Sequence, residues 1–346
     1  MYCSGFFFTA KPMTNRIIYY DPESQVPKYR QIVLSIKKAI ERKVIRKGDR
    51  IPSINQVCAA FNLSRDTVMM AYHELKSHGI ISSNQGKGYY VESVDVRLEE
   101  KVFLLFDELN SFKEDLYNSF VESLDSNATV DVFFHHFNYQ VFKNQIIEAA
   151  GKYTSYVIMP ASFDNIGHLI HKLPPDRVYI LDRLKPELSG FPGIYQDFEA
   201  DVYEGLKAAN SHLERYRRLV FIQPGGKEPQ ERVTGFRRFC QEFKFDNKVV
   251  RSLSEVQPAL YDVFLVPSDR TLVELVRLAW EYEFEIGKKF GIISFNDSML
   301  KQVVAGGITT ISTDFPGMGK MLASMVMERK PLQVKNQSGL ILRQSL

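Results

Sequence analysis

The side chains best suited to acting on a partner are polar and cluster in one stretch of the chain. Ser53 and Asn55 come first, then the run Ser64-Arg65-Asp66-Thr67, then His73, and finally Gly86-Lys87. Arginine and short hydroxyl or amide side chains reach base edges, while lysine and glycine-exposed backbone suit phosphate oxygens. This is the chemistry of a nucleic-acid reader. Signals for other chemistry are weak. His135 and His136 are neighbours at a strand end, where side chains point to opposite faces, so they do not share a metal. Pro224-Gly225-Gly226-Lys227 has neither P-loop spacing nor a following Ser or Thr. No Ser-His-Asp or paired-carboxylate arrangement stands out, so no catalytic residue, metal or cofactor is expected.

The elements that must position the first group can be read locally. Ser53 and Gln56 have capping-box spacing, which predicts a helix from Ile54 to about Phe61. Asn62-Leu63 makes the turn, and Ser64 caps a second helix that ends at Gly79. Val68, Ala71, Tyr72 and Leu75 fall at i, i+3, i+4 and i+7 and form its buried face. Asp66, Met69, Met70 and His73 point away, with Arg65 and Thr67 in the exposed first turn. Ile80-Ile81 and Tyr89-Tyr90-Val91 read as strands around a glycine-rich basic loop, and 27–44 as a preceding helix. A steeply angled helix pair with a polar second N-terminus suits a DNA major groove.

Val26 to Val91 resembles the winged helix-turn-helix of the GntR family of bacterial regulators. The resemblance is carried by Tyr29-Arg30-Gln31-Ile32, Lys47-Gly48-Asp49-Arg50-Ile51-Pro52-Ser53, Ser64-Arg65-Asp66-Thr67-Val68 and Gln85-Gly86-Lys87-Gly88. It implies operator binding, with Arg65 and Thr67 on the recognition helix and Gly86 in the wing. The family's usual Glu-Arg pair after Pro-Ser is replaced here by Ile54-Asn55.

Charge agrees with that division. The chain of 346 residues carries +3 overall, but 13–91 holds 13 Lys and Arg against 6 Asp and Glu, a surplus of +7 that leaves −4 on the rest. A basic module on a mildly acidic body fits a nucleic-acid reader with a second task. Three scattered cysteines, Cys3, Cys58 and Cys240, argue for a reducing cytosol, with Cys58 a small core residue. The apolar run near Phe6 lacks the charged flank of a signal peptide, and no window approaches a membrane span. Residues 1–25 are expected to be a partly disordered extension with Met13 as the natural start, 26–91 the DNA-binding domain, 92–101 a linker, and 102–346 the effector domain.

From Val102 onward short apolar strands alternate with helices, the pattern of an open parallel sheet covered on both faces. Strands are predicted at 102–106, 130–134, 156–159 and 178–181, then again at 219–222, 263–266 and 291–295. Two successive α/β halves imply two subdomains and a cleft beyond the strand ends. The polar residues at those ends are Asp107, Asn110, Phe112, Asp182, Arg183, Asp269, Asn296 and Asp297. Carboxylates, amides, one arginine and a ring suit a sugar, whose hydroxyls need paired donors and acceptors.

Lys101 to Leu346 resembles the effector domain of the LacI/GalR repressors, itself similar to periplasmic sugar-binding proteins. The motifs are Asp182-Arg183, Arg232-Val233-Thr234-Gly235-Phe236, Ser268-Asp269, Gly291 to Asp297, Ile308 to Ile311 and Leu342 to Ser345. The resemblance implies that Asp182, Arg183, Asp269 and Asn296 approach the ligand, and Asn110-Ser111-Phe112 resembles the Asn-Pro-Phe loop of pentose binders. Ser268 stands for the usual Asn, Asn296 for the usual Asp, and the helix opening at Ala200 lacks the customary arginine. The implied fold is α/β, a winged helix-turn-helix followed by a two-subdomain periplasmic-binding-protein-like Rossmannoid domain.

The combined expectation is a cytoplasmic, homodimeric transcription regulator, a repressor of a carbohydrate-utilisation operon, reading a palindromic operator and answering to a small sugar. With Arg183 as the single basic residue placed in the cleft, a neutral sugar is favoured over a purine or phosphosugar. An α/β enzyme fused to a DNA-binding module is the alternative from another class.

Overall fold

The computed structural model describes residues 13–22, 27–84, 87–94 and 100–346. A basic head comes first. It holds α1 (Met13–Ile17), α2 (Lys28–Glu41), α3 (Ile54–Phe61), α4 (Arg65–Ser77) and an antiparallel hairpin of β1 (Ile81–Asn84) and β2 (Gly88–Val91). Both cap predictions have their local cause. Ser53 Oγ accepts from Gln56 N–H while Gln56 Oε1 accepts from Ser53 N–H, and Ser64 Oγ accepts from Thr67 N–H at 3.2 Å. Asn62 closes α3 in the left-handed region at φ 52°, which its short polar side chain tolerates. Val68, Ala71, Tyr72 and Leu75 are buried together, with Tyr72 donating to Pro52 O and meeting Tyr89 edge-on. Ile17 and Ile18 join the same core, so residues placed above in an N-terminal extension help to build the head.

The body begins with β3 (Lys101–Phe106), α5 (Ser111–Glu122), β4 (Thr129–Phe134), α6 (Tyr139–Ala149), β5 (Ser155–Ile158), α7 (Gly167–Ile170), β6 (Val178–Asp182) and β7 (Gly193–Tyr195). The chain then crosses to a second subdomain: α8 (Phe198–Ala208), α9 (Asn210–Leu213), β8 (Arg218–Ile222), α10 (Glu231–Phe243), β9 (Asp246–Val250), β10 (Asp262–Val266), α11 (Asp269–Glu281), β11 (Gly291–Phe295), α12 (Met299–Val303) and β12 (Thr309–Thr313). It returns as α13 (Phe315–Glu328) and β13 (Gln333–Lys335), and crosses once more to β14 (Ser338–Ile341). The first sheet runs β13-β7-β6-β5-β3-β4, all parallel, and the second β14-β12-β11-β10-β8-β9, with only β14 antiparallel.

The two halves are therefore not successive in the chain, as the strand rhythm implied, but interleaved through three crossovers. The helix α13, which no sequence pattern singled out, packs on α5 in the first subdomain. Gly319 permits this, because a Cβ there would sit 2.4 Å from Leu116 O. Gly235 does the same for α10 on α8, where a Cβ would meet Glu199 O at 2.1 Å. Helix α7 is a single turn, and Ala209 separates α8 from the short α9. Among the described residues no helix is long and apolar enough to cross a membrane.

Candidate functional site

The first candidate surface is the tip of α3 and α4. Ser64, Arg65, Asp66, Asn55 and His73 are exposed, and Ser53 and Thr67 half-buried, because each stands at a helix end or on the face opposite the core. The structure joins two residues that the sequence left apart: Arg65 Nη1 donates to Asn55 Oδ1 at 2.8 Å. Asn55, standing where the family places arginine, thus orients the neighbouring arginine. Lys87 is exposed at the hairpin tip, where its carbonyl accepts from Tyr90 Oη at 3.1 Å, whereas Gly86 lies outside the described residues.

The second candidate site is the cleft between the sheets. Asp182 closes β6 at φ 76°, and its carboxylate accepts from Gln196 Nε2. Gln196 in turn accepts from Thr313 Oγ1 at 2.6 Å, so this chain of hydrogen bonds touches two crossovers. Burial pushes the Asp182 carboxyl up, with Lys113 pulling against it. Arg183 pairs with Glu231 at 2.8 Å and lies 5.3 Å over the Phe198 ring. Asn296 meets the same space at φ 59°, together with Arg232, Asp201 and Gln196.

Arg232, quoted above only within a motif, is the centre of this arrangement. It is buried, pairs with Glu228 at 3.1 Å, and stacks on Phe198 and on Phe295 at 5.4 and 4.7 Å. Desolvation makes its charge costly and raises the Glu228 carboxyl, while the Asp201 carboxyl is pushed up to about 6 by burial. Lys113, buried on α5, pairs with Asp107, and Lys227 bridges the subdomains to Glu108 at 2.5 Å.

Four of the strand-end residues are engaged elsewhere. Asp269 is half exposed and held by Lys301 at 3.1 Å, whose Nζ also donates to Phe295 O and Asn296 O. Phe112 stacks on Phe315 at 4.8 Å and faces a separate open cavity of about 480 Å³. Asn110 spends its Oδ1 capping α5 through Lys113 N–H at 3.1 Å. Asp297 forms a bidentate pair with Arg343 at 2.6 and 2.7 Å.

Arg183 is also not the single cation of the cleft. Lys113, Lys227 and Arg232 share it, each neutralised by its own carboxylate. The interior left between Arg232, Asn296 and Gln196 is only about 10 Å³, room for about one water molecule, so a sugar needs the subdomains to part. His135 is a core residue: Nδ1 accepts from Phe137 N–H, which leaves Nε2 to donate to Met159 O at 3.1 Å. Desolvation lowers its basicity, and raises the buried Cys240 thiol to about 12.

Residues 28–91 match the family model of the bacterial regulatory proteins, gntR family, and residues 211–346 match the periplasmic binding protein-like domain. Over 108 residues the chain is 31% identical to the HTH-type transcriptional repressor YtrA of Bacillus subtilis, covering 31% of this chain and 83% of that one. The chain belongs to the GntR family. This GntR-family chain is also 35% identical over 97 residues to MngR of Escherichia coli, the mannosyl-D-glycerate transport/metabolism system repressor, but spans only 38% of its length. In fold it is similar to the dimeric Lac repressor with an 11-residue C-terminal deletion, at TM-score 0.60 and 13% identity over 71% of this chain and 98% of that one. At that identity the likeness is one of fold. The GntR-family chain is thus a DNA-binding transcriptional regulator of repressor type, with a winged helix joined to a periplasmic-binding-protein-like body. Its relatives and structural neighbours are regulators, not enzymes.

Proposed function

We propose that this regulator represses a carbohydrate-utilisation operon from the cytoplasm and is controlled by a small neutral sugar in the cleft. The observation that carries the reading is the pairing of every cleft cation with a carboxylate around aromatic rings. Such a lining offers matched donors and acceptors to hydroxyls, and no unpaired cation to a phosphate. The purine or phosphosugar alternative needed more cationic residues; the cleft holds them, but none is spare. MngR, by its name, represses mannosyl-D-glycerate transport and metabolism, which favours a carbohydrate-related operon without favouring a neutral effector.

Ser53, Asn55, Ser64, Arg65, Asp66, Thr67, His73, Gly86 and Lys87 form the proposed DNA surface. The DNA-binding domain is taken as 26–91 with α1 packed on it, the linker as 92–101 and the effector domain as 102–346. Asp182, Arg183 and Asn296, joined by Arg232, form the proposed effector site, with Asn110, Phe112 and Asp269 at its margin. A two-fold homodimer would place two heads on a palindrome. Exposed Val273 and Trp280 on α11, and Met299 and Val303 on α12, offer an apolar face for the second copy. Because the cleft is shut by its own ion pairs, sugar would change the angle between subdomains and so the spacing of the heads.

A thermal-shift screen of neutral monosaccharides and disaccharides against the purified chain tests this. A specific sugar should raise the melting temperature by mass action, and the folded double variant Asp182→Asn, Arg183→Ala should lose that shift. Stabilisation by phosphosugars alone would replace the neutral-sugar reading.

A further inference from the structure

The outward stripe of α4 does not face open solvent along its whole length. Asp66, Met70, His73 and Ser77, spaced i, i+4, i+7 and i+11, lie opposite the buried face. They line a crevice of about 390 Å³ whose other wall is the first subdomain, at Gly151, Tyr153, His171 and Pro174. His73 comes within 3.5 Å of the position a Cβ on Gly151 would take. A major groove is about 12 Å wide and receives a whole helix, so this stripe must be clear for the helix to enter. Here the chain's own body stands across the crevice, so a duplex cannot seat on the stripe although Asp66 and His73 stay open to solvent.

Charge holds the cover in place. Glu74, on the flank of α4, pairs with Arg177 of the body at 2.6 Å, and both side chains are almost wholly buried. Arg177 also donates to Thr154 O at 3.1 Å, and the Tyr29 hydroxyl of α2 donates to Asp176. The packing is otherwise poor, since the crevice is unfilled and Lys37, 6% exposed, has no hydrogen-bond partner for its Nζ. Burial beside Arg177 lowers Lys37 to about 8. An interface secured by a few ion pairs over an incomplete apolar contact, with one ammonium that lacks a hydrogen-bond partner, is made to separate.

We propose that this head–body contact is an autoinhibitory clasp, in which Arg177 and Asp176 hold the recognition helix against the sensing domain and keep it from DNA. Release of the clasp is the step that frees the reading face. The clasp also reaches the linker end. Thr154 Oγ1 donates to Glu100 at 2.8 Å, and Glu100 pairs with Arg329, the residue capping α13. The other end of α13 begins two residues after Thr313, which donates to Gln196 in the cleft, so one helix has its ends near the two sites.

The proposal rests on α4 being the DNA-reading helix, and its test separates the two claims. Full-length Arg177→Gln and Tyr29→Phe chains are compared with the parent for binding to a short mixed-sequence duplex, and for maleimide labelling of a cysteine introduced by Met70→Cys. Tyr29→Phe keeps the ring in the head core, so it serves if Arg177→Gln fails to fold. The clasp predicts tighter duplex binding, about tenfold and equal to about 1.4 kcal/mol, with faster labelling at position 70 in both variants. Unchanged or weakened duplex binding in a folded variant overturns autoinhibition. If the parent and both variants all fail to bind DNA, the DNA-reading assignment falls, and the clasp falls with it as an autoinhibitory device. Labelling at 70 then still reports whether the contact opens.

Discussion

The head and the cleft solve the same problem, placing polar groups for a partner, by opposite means. In the head the polar residues are exposed and held by neighbours: Ser64 caps its own helix, Ser53 and Gln56 exchange hydrogen bonds three residues apart, and Asn55 orients Arg65 across one turn. The apolar core beneath is separate and complete without them. In the cleft the polar residues are held by long-range pairs that run from the exposed Lys227 and Glu231 at the rim to the buried Arg232. Arg183 reaches Glu231 across 48 positions of sequence and Lys227 reaches Glu108 across 119, while Arg232 is packed between two rings. A surface built by local rules tolerates loss of one contact, whereas a buried ionic lattice leaves an unpaired charge behind.

That contrast is broken most forcefully at Arg232. Arg232→Ala should strand Glu228 and destabilise the body by about 3–5 kcal/mol in urea unfolding. A loss under about 1 kcal/mol would mean that the cleft is as forgiving as the head. Asp201 gives the next effect. Its folded pKa of about 6 lies above its ordinary value, so its stabilising contribution is complete below about pH 4 and is lost as pH rises through 6. Asp201→Asn should therefore stabilise the protein at pH 7 by roughly 2–3 kcal/mol and flatten the profile between those limits. A parallel profile for parent and variant would show that Lys335, 3.8 Å away, already compensates the charge. The smallest effect is expected in the head. Arg65→Ala should leave folding intact and weaken preferred-sequence DNA by about 1–3 kcal/mol, with a smaller loss on mixed sequence if it reads a base. Equal losses on both would assign it to phosphate.

The same contrast explains what the sequence disclosed. The helix pair, its caps and the face Val68, Ala71, Tyr72 and Leu75 follow from residues within a turn or two of one another, and the family motif lies there too. The alternation of strands and helices in the body was legible for the same reason. Strands β7, β13 and β14 are only three or four residues long, and β13 and β14 reach their sheet edges only through the crossovers. The helix α13 begins Phe-Pro-Gly and carries a second glycine, which obscures its helical signal although Gly319 is what lets it pack on α5. Within the cleft, strand-end position suggested Asp182, Arg183 and Asn296. Arg232 sits one residue inside a helix start and within a quoted motif, but no strand end marks it as a cleft residue.

The central claim is that ligand in the cleft changes what the head can do. The direct measurement uses an operator selected by the full-length chain from a random duplex pool, and follows its affinity as a stabilising sugar is titrated in. Affinity should fall at least fivefold, a coupling of about 1 kcal/mol, and the Asp182→Asn, Arg183→Ala chain should bind the operator alike with and without sugar. Operator affinity that stays constant while the sugar demonstrably saturates the parent chain would contradict it.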